Sequence, residues 1–338
     1  MNAYKEELTM MTPRENCMAI LNRQQPDYYG DLMHAVEMIP DPLMLGDMPP
    51  QDGKEHLDSW GVTYIWPVGA PGPHPHVTPE NAVIKDIEKW EEQVKFPSFD
   101  NLDWTLAEQV AASIDRKEKF ACFMFGGGLF ERSHHLQGIQ TALENYLEYP
   151  DETAALLRAI ADWKIKYIRL MAEHCHPDII FYHDDWGHKQ NLFLPPRVWR
   201  ELIKPLQKEI ADVIHECGMI YMHHADCICQ PIVTDMVEIG VEIWQGVIAQ
   251  NDIPYIQEVT EGKLALVGGI DAPKIDIANI TEEAIRAEVR RAIDTGCAAG
   301  RFFPGIPNGV CYIEWNNTIA MDELAKYGRQ YALDHPIA

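Results

Sequence analysis

The chain has 338 residues, and 46% of them are hydrophobic, which is enough for one large α/β domain or two ordinary ones. Lysine and arginine total 28 against 52 aspartates and glutamates, so the formal net charge is -24. A surface with this charge repels phosphate backbones and anionic lipids, which argues against a nucleic-acid partner and against a role at a membrane surface.

The N-terminal residues are acidic and polar, and they lack the apolar segment of a secretory signal peptide. No apolar run in the sequence is long enough to span a bilayer. We therefore expect an unexported, cytoplasmic protein whose eight cysteines are reduced and mostly buried.

The first predicted element is a helix that begins with a capping box. Thr12 is the expected N-cap, Pro13 the first helical residue and Glu15 the reciprocal capping residue. Residues 27–80 follow and are rich in proline, glycine, methionine and aromatic residues. They predict an irregular segment with one short strand at 62–66, which we expect to form a lid or to face a substrate.

Six short apolar runs then alternate with amphipathic helical patterns. The runs are FACFMF (120–125), DIIFY (178–182), MIYMH (219–223), VEIWQ (241–245), LALVGG (264–269) and RFF (301–303). One of the helical patterns has Thr281 as its N-cap and Gly296 as its stop. This alternation predicts parallel βαβ units, and no glycine-rich dinucleotide fingerprint follows any run. With two less distinct units upstream, it favours a single α/β domain over residues 1–338, a (β/α)8 barrel of the TIM type.

Functional side chains of such a barrel lie at the carboxyl ends of its strands. The runs are followed there by polar stretches, among them GGGLFERSHH, HDDWGHK and HADCIC. Candidate acid–base or orienting groups are Asp184, Asp185, His224 and Asp226. Candidate substrate-binding residues are His183, His188, Gly127 and Glu314.

The two adjacent aspartates are not equivalent in this prediction. On an extended chain Asp184 and Asp185 point to opposite sides, so at most one of them aims into the barrel mouth. The alternative role for either aspartate is to cap a turn or a helix after the strand.

The stretch HHADCIC (223–229) raises the question of a metal site. His224 and Asp226 share one side of an extended backbone, and Cys227 lies on the other side. A single Cys-x-Cys pair is a weak zinc signal, so Cys227 and Cys229 are equally well explained as buried thiols. If a metal is bound here, the candidate ligands are His224, Asp226 and Cys227.

Several stretches together resemble the uroporphyrinogen decarboxylase superfamily. They are MTPRENCMAILNRQQPD, HDDWG with LFLPPRVWRELIKPLQKEIADVIHECG, HHADCICQPIVTDMVEIGVEIWQ, LVGGIDAPKI and FFPGIPNGVCYIEWNNTIAMDELAKYGR. The resemblance spans nearly the whole chain and implies a single (β/α)8 barrel. Within the superfamily the chain is more similar to the corrinoid-dependent methyltransferases of anaerobes. The decarboxylases hold their substrate carboxylates with an N-terminal arginine motif, whereas the corresponding PDYYGDLMHAVEMIPDP contains no arginine.

The resemblance also implies a chemistry. Some methyltransferases of this branch bind zinc through a His-x-Cys motif and a later cysteine, and thereby activate a thiol. When the sequences are matched at Pro231 and Ile232, His224 takes the place of the histidine, while Asp226 and Ile306 take the places of the two cysteines. Loss of both thiolates favours the methyl-donor half-reaction, because an ether oxygen leaves with help from a proton or a hard Lewis acid.

The function implied by the resemblance is methyl transfer from a methoxylated small molecule to the cobalt(I) of a corrinoid protein. Our interpretation of the donor is an aryl methyl ether, as in an O-demethylase component, with a corrinoid (cobalamin) on the partner protein and zinc as a second candidate cofactor. Three alternatives stay open: a zinc-dependent methylcorrinoid:thiol methyltransferase, a decarboxylase of the same superfamily, and a barrel that binds a corrinoid or porphyrinoid without turnover.

Overall fold

The computed structural model of the protein describes residues 10–337. The N-terminal stretch on which the export prediction depends lies largely outside these residues. Within the described residues, no helix combines the length and the apolar character that a bilayer-spanning segment requires.

A curled sheet of seven parallel strands forms the centre of the fold. Ten strands occur in residues 10–337: β1 (Val36–Ile39), β2 (Glu55–Leu57), β3 (Thr63–Ile65), β4 (His74–Pro75), β5 (Phe120–Phe125), β6 (Ile179–His183), β7 (Ile220–His224), β8 (Ile243–Val247), β9 (Ala265–Gly269) and β10 (Phe302–Gly305). The parallel sheet has the order β1-β5-β6-β7-β8-β9-β10, so each strand pairs with the next strand of the sheet along the chain. All six predicted strands are present, and the predicted α/β barrel architecture is confirmed.

The sheet has seven strands where eight were predicted, and within the described residues no ladder joins β10 to β1. Its two edges nevertheless approach each other, because a Cβ added at Gly305 would lie 2.8 Å from Asp31 Oδ2. Asp31 immediately precedes the short 3-10 helix that leads into β1. The closure therefore depends on side-chain and loop contacts at this seam.

Helices cover the outside of the sheet. Those in residues 10–337 are α1 (Pro13–Leu21), α2 (Pro42–Asp47), α3 (Trp90–Gln93), α4 (Thr105–Ser113), α5 (Leu129–His135), α6 (Ile139–Glu148), α7 (Pro150–Cys175), α8 (Pro196–Leu202), α9 (Lys204–Glu216), α10 (Val233–Ile239), α11 (Ile253–Val259), α12 (Ala272–Ile275), α13 (Glu282–Gly296) and α14 (Glu314–Asp334). The predicted capping box is present at α1, where the Thr12 hydroxyl accepts from the Glu15 amide. The predicted cap of α13 is also present at Thr281, and the helix ends at Gly296.

The segment 27–80 is more regular than its composition predicts. It contains the strand expected at 62–66, seen as β3, which pairs antiparallel with β2 and β4. It also contains α2 and the first barrel strand, β1, which the sequence did not reveal. Arg132 of α5 makes a 2.9 Å ion pair with Asp58 just after β2, and this pair fastens the small sheet beside the barrel mouth. We call residues 41–73 the lid.

Candidate functional site

The functional candidates meet at the carboxyl ends of β6 and β7. A cavity of about 400 Å³ opens there, and its lining includes His183, Asp185, His224 and Asp226. We call it the site cavity. His183 and His224 are register partners at the last positions of their strands, so their rings stack with centroids 4.3 Å apart. The adjacent parallel strands thus bring two imidazoles to one point.

His183, Asp185 and His224 form a cluster that could hold a metal ion. Their candidate ligand atoms all lie within 4.8 Å of one another. Two imidazole nitrogens and a carboxylate oxygen are a donor set found in catalytic zinc sites, which keep a further position for water or substrate. The residues therefore fit a divalent cation such as zinc.

Hydrogen bonds to neighbouring side chains orient both imidazoles. His183 Nδ1 donates to Glu131 Oε2 at 2.9 Å. His224 Nδ1 donates to Gln245 Oε1, and the Gln245 amide is itself fixed because its Nε2 donates to Pro307 O at 3.0 Å. These bonds leave Nε2 of each ring as the candidate ligand atom, which is the arrangement that supports metal-binding histidines in proteins.

The charges of the cluster are set by burial and by Glu131. Burial disfavours the His183 imidazolium, but the Glu131 carboxylate outweighs burial and raises the pKa of His183 to about 9. Burial and the His183 charge lower the pKa of His224 to about 4. Burial and the Glu131 charge raise the pKa of Asp185 to about 7. One imidazole is therefore protonated and its neighbour neutral, and a bound cation would displace the proton of His183.

Asp184 does not reach the site cavity, although it is adjacent to Asp185. It is fully buried, and its carboxylate accepts from the amides of Phe130 and Glu131 and from Trp186 Nε1 at 2.9 Å. It therefore caps the start of α5. Through this contact Asp184 positions Glu131, which in turn orients His183.

The other predicted site residues are placed differently. Asp226 lines the site cavity and makes a 2.8 Å ion pair with Lys189. Cys227 is buried, with its Sγ 3.4 Å from Cys229 Sγ, and it does not line the cavity. His188 and Glu314 are exposed and do not line it either. The candidate metal ligands that the structure groups around His224 are thus His183 and Asp185.

A second cavity, of about 310 Å³, lies between the lid and the end of β5. We call it the lid pocket. Its lining is largely apolar and includes Met44, Met48, Trp60, Tyr64 and Trp163, together with Gly127, one of the predicted substrate-binding residues. Met124 lines both cavities, so the lid pocket adjoins the site cavity.

Sequence reasoning missed two residues that orient the histidines. Glu131 stands within GGGLFERSHH, a stretch that was recognised as a strand-end segment, and it lies 52 positions from His183. Gln245 ends the predicted run VEIWQ, so its position at a strand end was the available signal. Both are polar residues beside the barrel mouth, which is where the fold places chemistry.

A parallel α/β barrel with oriented histidines and a carboxylate at its strand ends has the arrangement of a barrel enzyme. The family model for uroporphyrinogen decarboxylase (URO-D) matches residues 58–304. Because this match covers more than half of the chain, the protein belongs to the uroporphyrinogen decarboxylase family, which is a family of enzymes.

The fold is similar to that of solved structures, one of which is a methyltransferase. A methyltransferase from Methanosarcina mazei superposes with a TM-score of 0.64 at 16% sequence identity, covering 94% of this chain and 99% of that chain. At this identity the similarity establishes the fold. No curated protein matches the sequence.

The two candidate metal sets share only His224, and substitutions of Cys227 and Asp185 distinguish them. We expect Cys227→Ser to retain the wild-type content of bound zinc, whereas Asp185→Ala should lose it, because only Asp185 lies in the His183–His224 cluster. The serine variant should lose only a modest amount of stability, through a buried and imperfectly bonded hydroxyl. Zinc content after reconstitution and dialysis, measured by elemental analysis, is the readout. Zinc lost from Cys227→Ser but retained by Asp185→Ala would instead indicate a thiolate site.

Proposed function

We propose that the protein is a methyltransferase that removes the methyl group of a methoxylated small molecule, an aryl methyl ether, for transfer to a corrinoid protein. The observation that carries this proposal is the donor set of the site cavity, which consists of nitrogen and oxygen atoms from His183, Asp185 and His224. These donors suit an oxygen leaving group.

The leaving group defines what the site has to supply. Breaking the bond between the methyl carbon and the ether oxygen leaves an alkoxide or phenolate, which a proton or a hard Lewis acid stabilises. The His183 imidazolium, held by Glu131, is a proton donor in the cavity. If a cation is bound instead, His183, Asp185 and His224 would hold it, and it would polarise the ether oxygen.

A reduced corrinoid on the partner protein would supply the nucleophile that accepts the methyl group. The residues of this chain would bind the substrate, orient its ether oxygen toward the His183–His224 cluster and shield it from water. The lid pocket offers apolar and aromatic surface for the ring, with Trp60, Tyr64 and Met48 among its walls.

The alternatives receive less support from the cavity linings. A thiol-activating zinc site uses thiolates, but none of the cysteines lines the site cavity or the lid pocket. An octacarboxylate substrate requires several fixed cations, whereas the one arginine of the described residues that lines either cavity is Arg132, which is already paired with Asp58. Both arguments favour an ether as the substrate over a thiol or a porphyrinogen.

The test is a reconstituted demethylation assay. We expect the purified protein to release a phenol from a methoxyarene only when a reduced corrinoid protein or reduced free cobalamin is present, because no residue of the cavity is an evident methyl acceptor. Phenol and methylated corrinoid should appear in equal amounts, measured by chromatography and absorbance.

The same preparation should be assayed for the rival reactions as controls. These are methyl transfer from methylcobalamin to a thiol, and release of carbon dioxide from uroporphyrinogen. Demethylation without any corrinoid, or activity in one of the rival assays alone, would contradict the proposal.

A further inference from the structure

Lys164 is a buried cation that the proposed chemistry does not use. It lies on α7, is 1% exposed and is among the residues that line the lid pocket. Its Nζ donates to Gly127 O and lies 4.3 Å from the centre of the Phe125 ring. No carboxylate of the described residues forms an ion pair with it. The Lys164 amine carries two N–H donors when neutral and three when protonated, so at least one donor is left after the bond to Gly127.

The acidic residues around the lid pocket are already engaged with other donors. Asp58 pairs with Arg132 and accepts from two amides, Asp41 accepts from the Tyr167 hydroxyl and from two amides of α2, and Asp47 accepts from the Ser59 amide and hydroxyl. The carboxylates of Asp184, Glu131 and Asp41 act on the Lys164 charge at longer range, but none of the described carboxylates forms an ion pair with it.

A buried charge without an opposite charge is costly, and proteins normally compensate such groups. Burial and the Arg132 charge lower the pKa of Lys164 to about 7. A second unsatisfied donor belongs to Arg132, which also lines this pocket: its Nε is buried and has no hydrogen-bond partner among the described residues. Two cationic side chains thus present unused hydrogen-bonding capacity to a pocket whose own aspartates, Asp41, Asp47 and Asp58, are engaged with other donors.

We propose that the lid pocket binds the ring of an aromatic carboxylate, with Lys164 donating to the carboxylate oxygens. The substrate would then be a methoxylated aromatic acid. The carboxylate is the new part of this inference, and the methoxyl group rests on the proposed function. Trp60 and Met48 would contact the ring faces, and Met124 marks where the methoxyl end passes into the site cavity.

The test measures binding, so it does not depend on turnover. The probes are 3-methoxybenzoate and the neutral 3-methoxybenzamide, titrated calorimetrically into the full-length protein. The wild type should bind the carboxylate more tightly than the amide. Lys164→Met, which keeps a long apolar side chain, should weaken binding of the carboxylate by roughly 10- to 100-fold and leave binding of the amide nearly unchanged.

The matched control is Lys166→Met, on the same helix but exposed, which should bind both probes like the wild type. Equal affinity of the wild type for both probes would overturn the inference, and so would a folded Lys164→Met variant that loses both probes equally. If Lys164→Met does not fold, the comparison of the two probes on the wild type still decides. If the protein binds the carboxylate selectively but shows no corrinoid-dependent demethylation, the proposed function is contradicted and the carboxylate-binding inference is not.

Discussion

Replacing His224 with alanine is expected to lower demethylation by roughly 10²–10⁴-fold, the usual cost of losing a catalytic acid–base or ligand group. His224 belongs to the cluster with His183 and Asp185, so the substitution dismantles the group from which an ether oxygen would receive its proton or Lewis acid. The side chain borders the site cavity, where solvent can take the place of the imidazole, so we expect little change in the free energy of unfolding.

The matched control for this variant is His188→Ala. His188 follows the same strand as His183, but it is exposed and lines neither cavity. Turnover and thermal unfolding should be measured on both variants. If His224→Ala loses activity only in proportion to its loss of folded protein, or if His188→Ala is equally inactive, the site is misassigned.

The largest effect on stability is expected from Gly128→Ala. A Cβ at this position would lie 2.2 Å from both Cβ and Cγ of Asp184, which is fully buried and has no room to move. The added methyl group must displace the aspartate that caps α5, and overpacking of this kind costs roughly 1–3 kcal/mol, before the loss of the buried hydrogen bonds is counted. Denaturant unfolding monitored by circular dichroism gives the free energy.

Gly126→Ala is the control, since a Cβ at Gly126 meets no atom within 4 Å. It should unfold at nearly the wild-type denaturant concentration. The Gly128 variant should also lose activity beyond its loss of stability, because Asp184 positions Glu131 and Glu131 holds His183. Equal stability of the two variants would show that Asp184 can relax.

The fold was largely predictable because the buried strands are short continuous apolar runs between amphipathic helices. FACFMF is the clearest case, since it forms β5 over the predicted residues. β1 was missed because VEMI has only four residues, of which the two central ones are exposed. Such a strand shows neither alternation nor a continuous apolar run, and its position in the sheet comes from its pairing with β5.

The site was only partly predictable. Predicted strand ends indicate which residues lie at the barrel mouth, but not which other side chains they contact there. Alternation along the strand separated Asp184 from Asp185 in principle, and in the structure Asp185 lines the cavity while Asp184 caps a helix. The same alternation placed His224 and Asp226 on one side and Cys227 on the other, and in the structure the first two line the cavity while Cys227 does not. Glu131 and Gln245 reach the histidines from other elements, and such contacts leave no local pattern in the sequence.

Met124 gives the two cavities a shared wall, so a ligand that displaces this side chain would couple their occupancies. A ligand in the lid pocket that shifts this side chain changes the space available beside His183 and His224. By thermodynamic reciprocity, the ligand in the site cavity would then alter the affinity of the lid pocket for its own ligand by the same factor. Binding of the ring in the lid pocket and binding of the methoxyl group in the site cavity would then be thermodynamically linked. The flexible thioether side chain of Met124 lies between the two cavities and would carry this link.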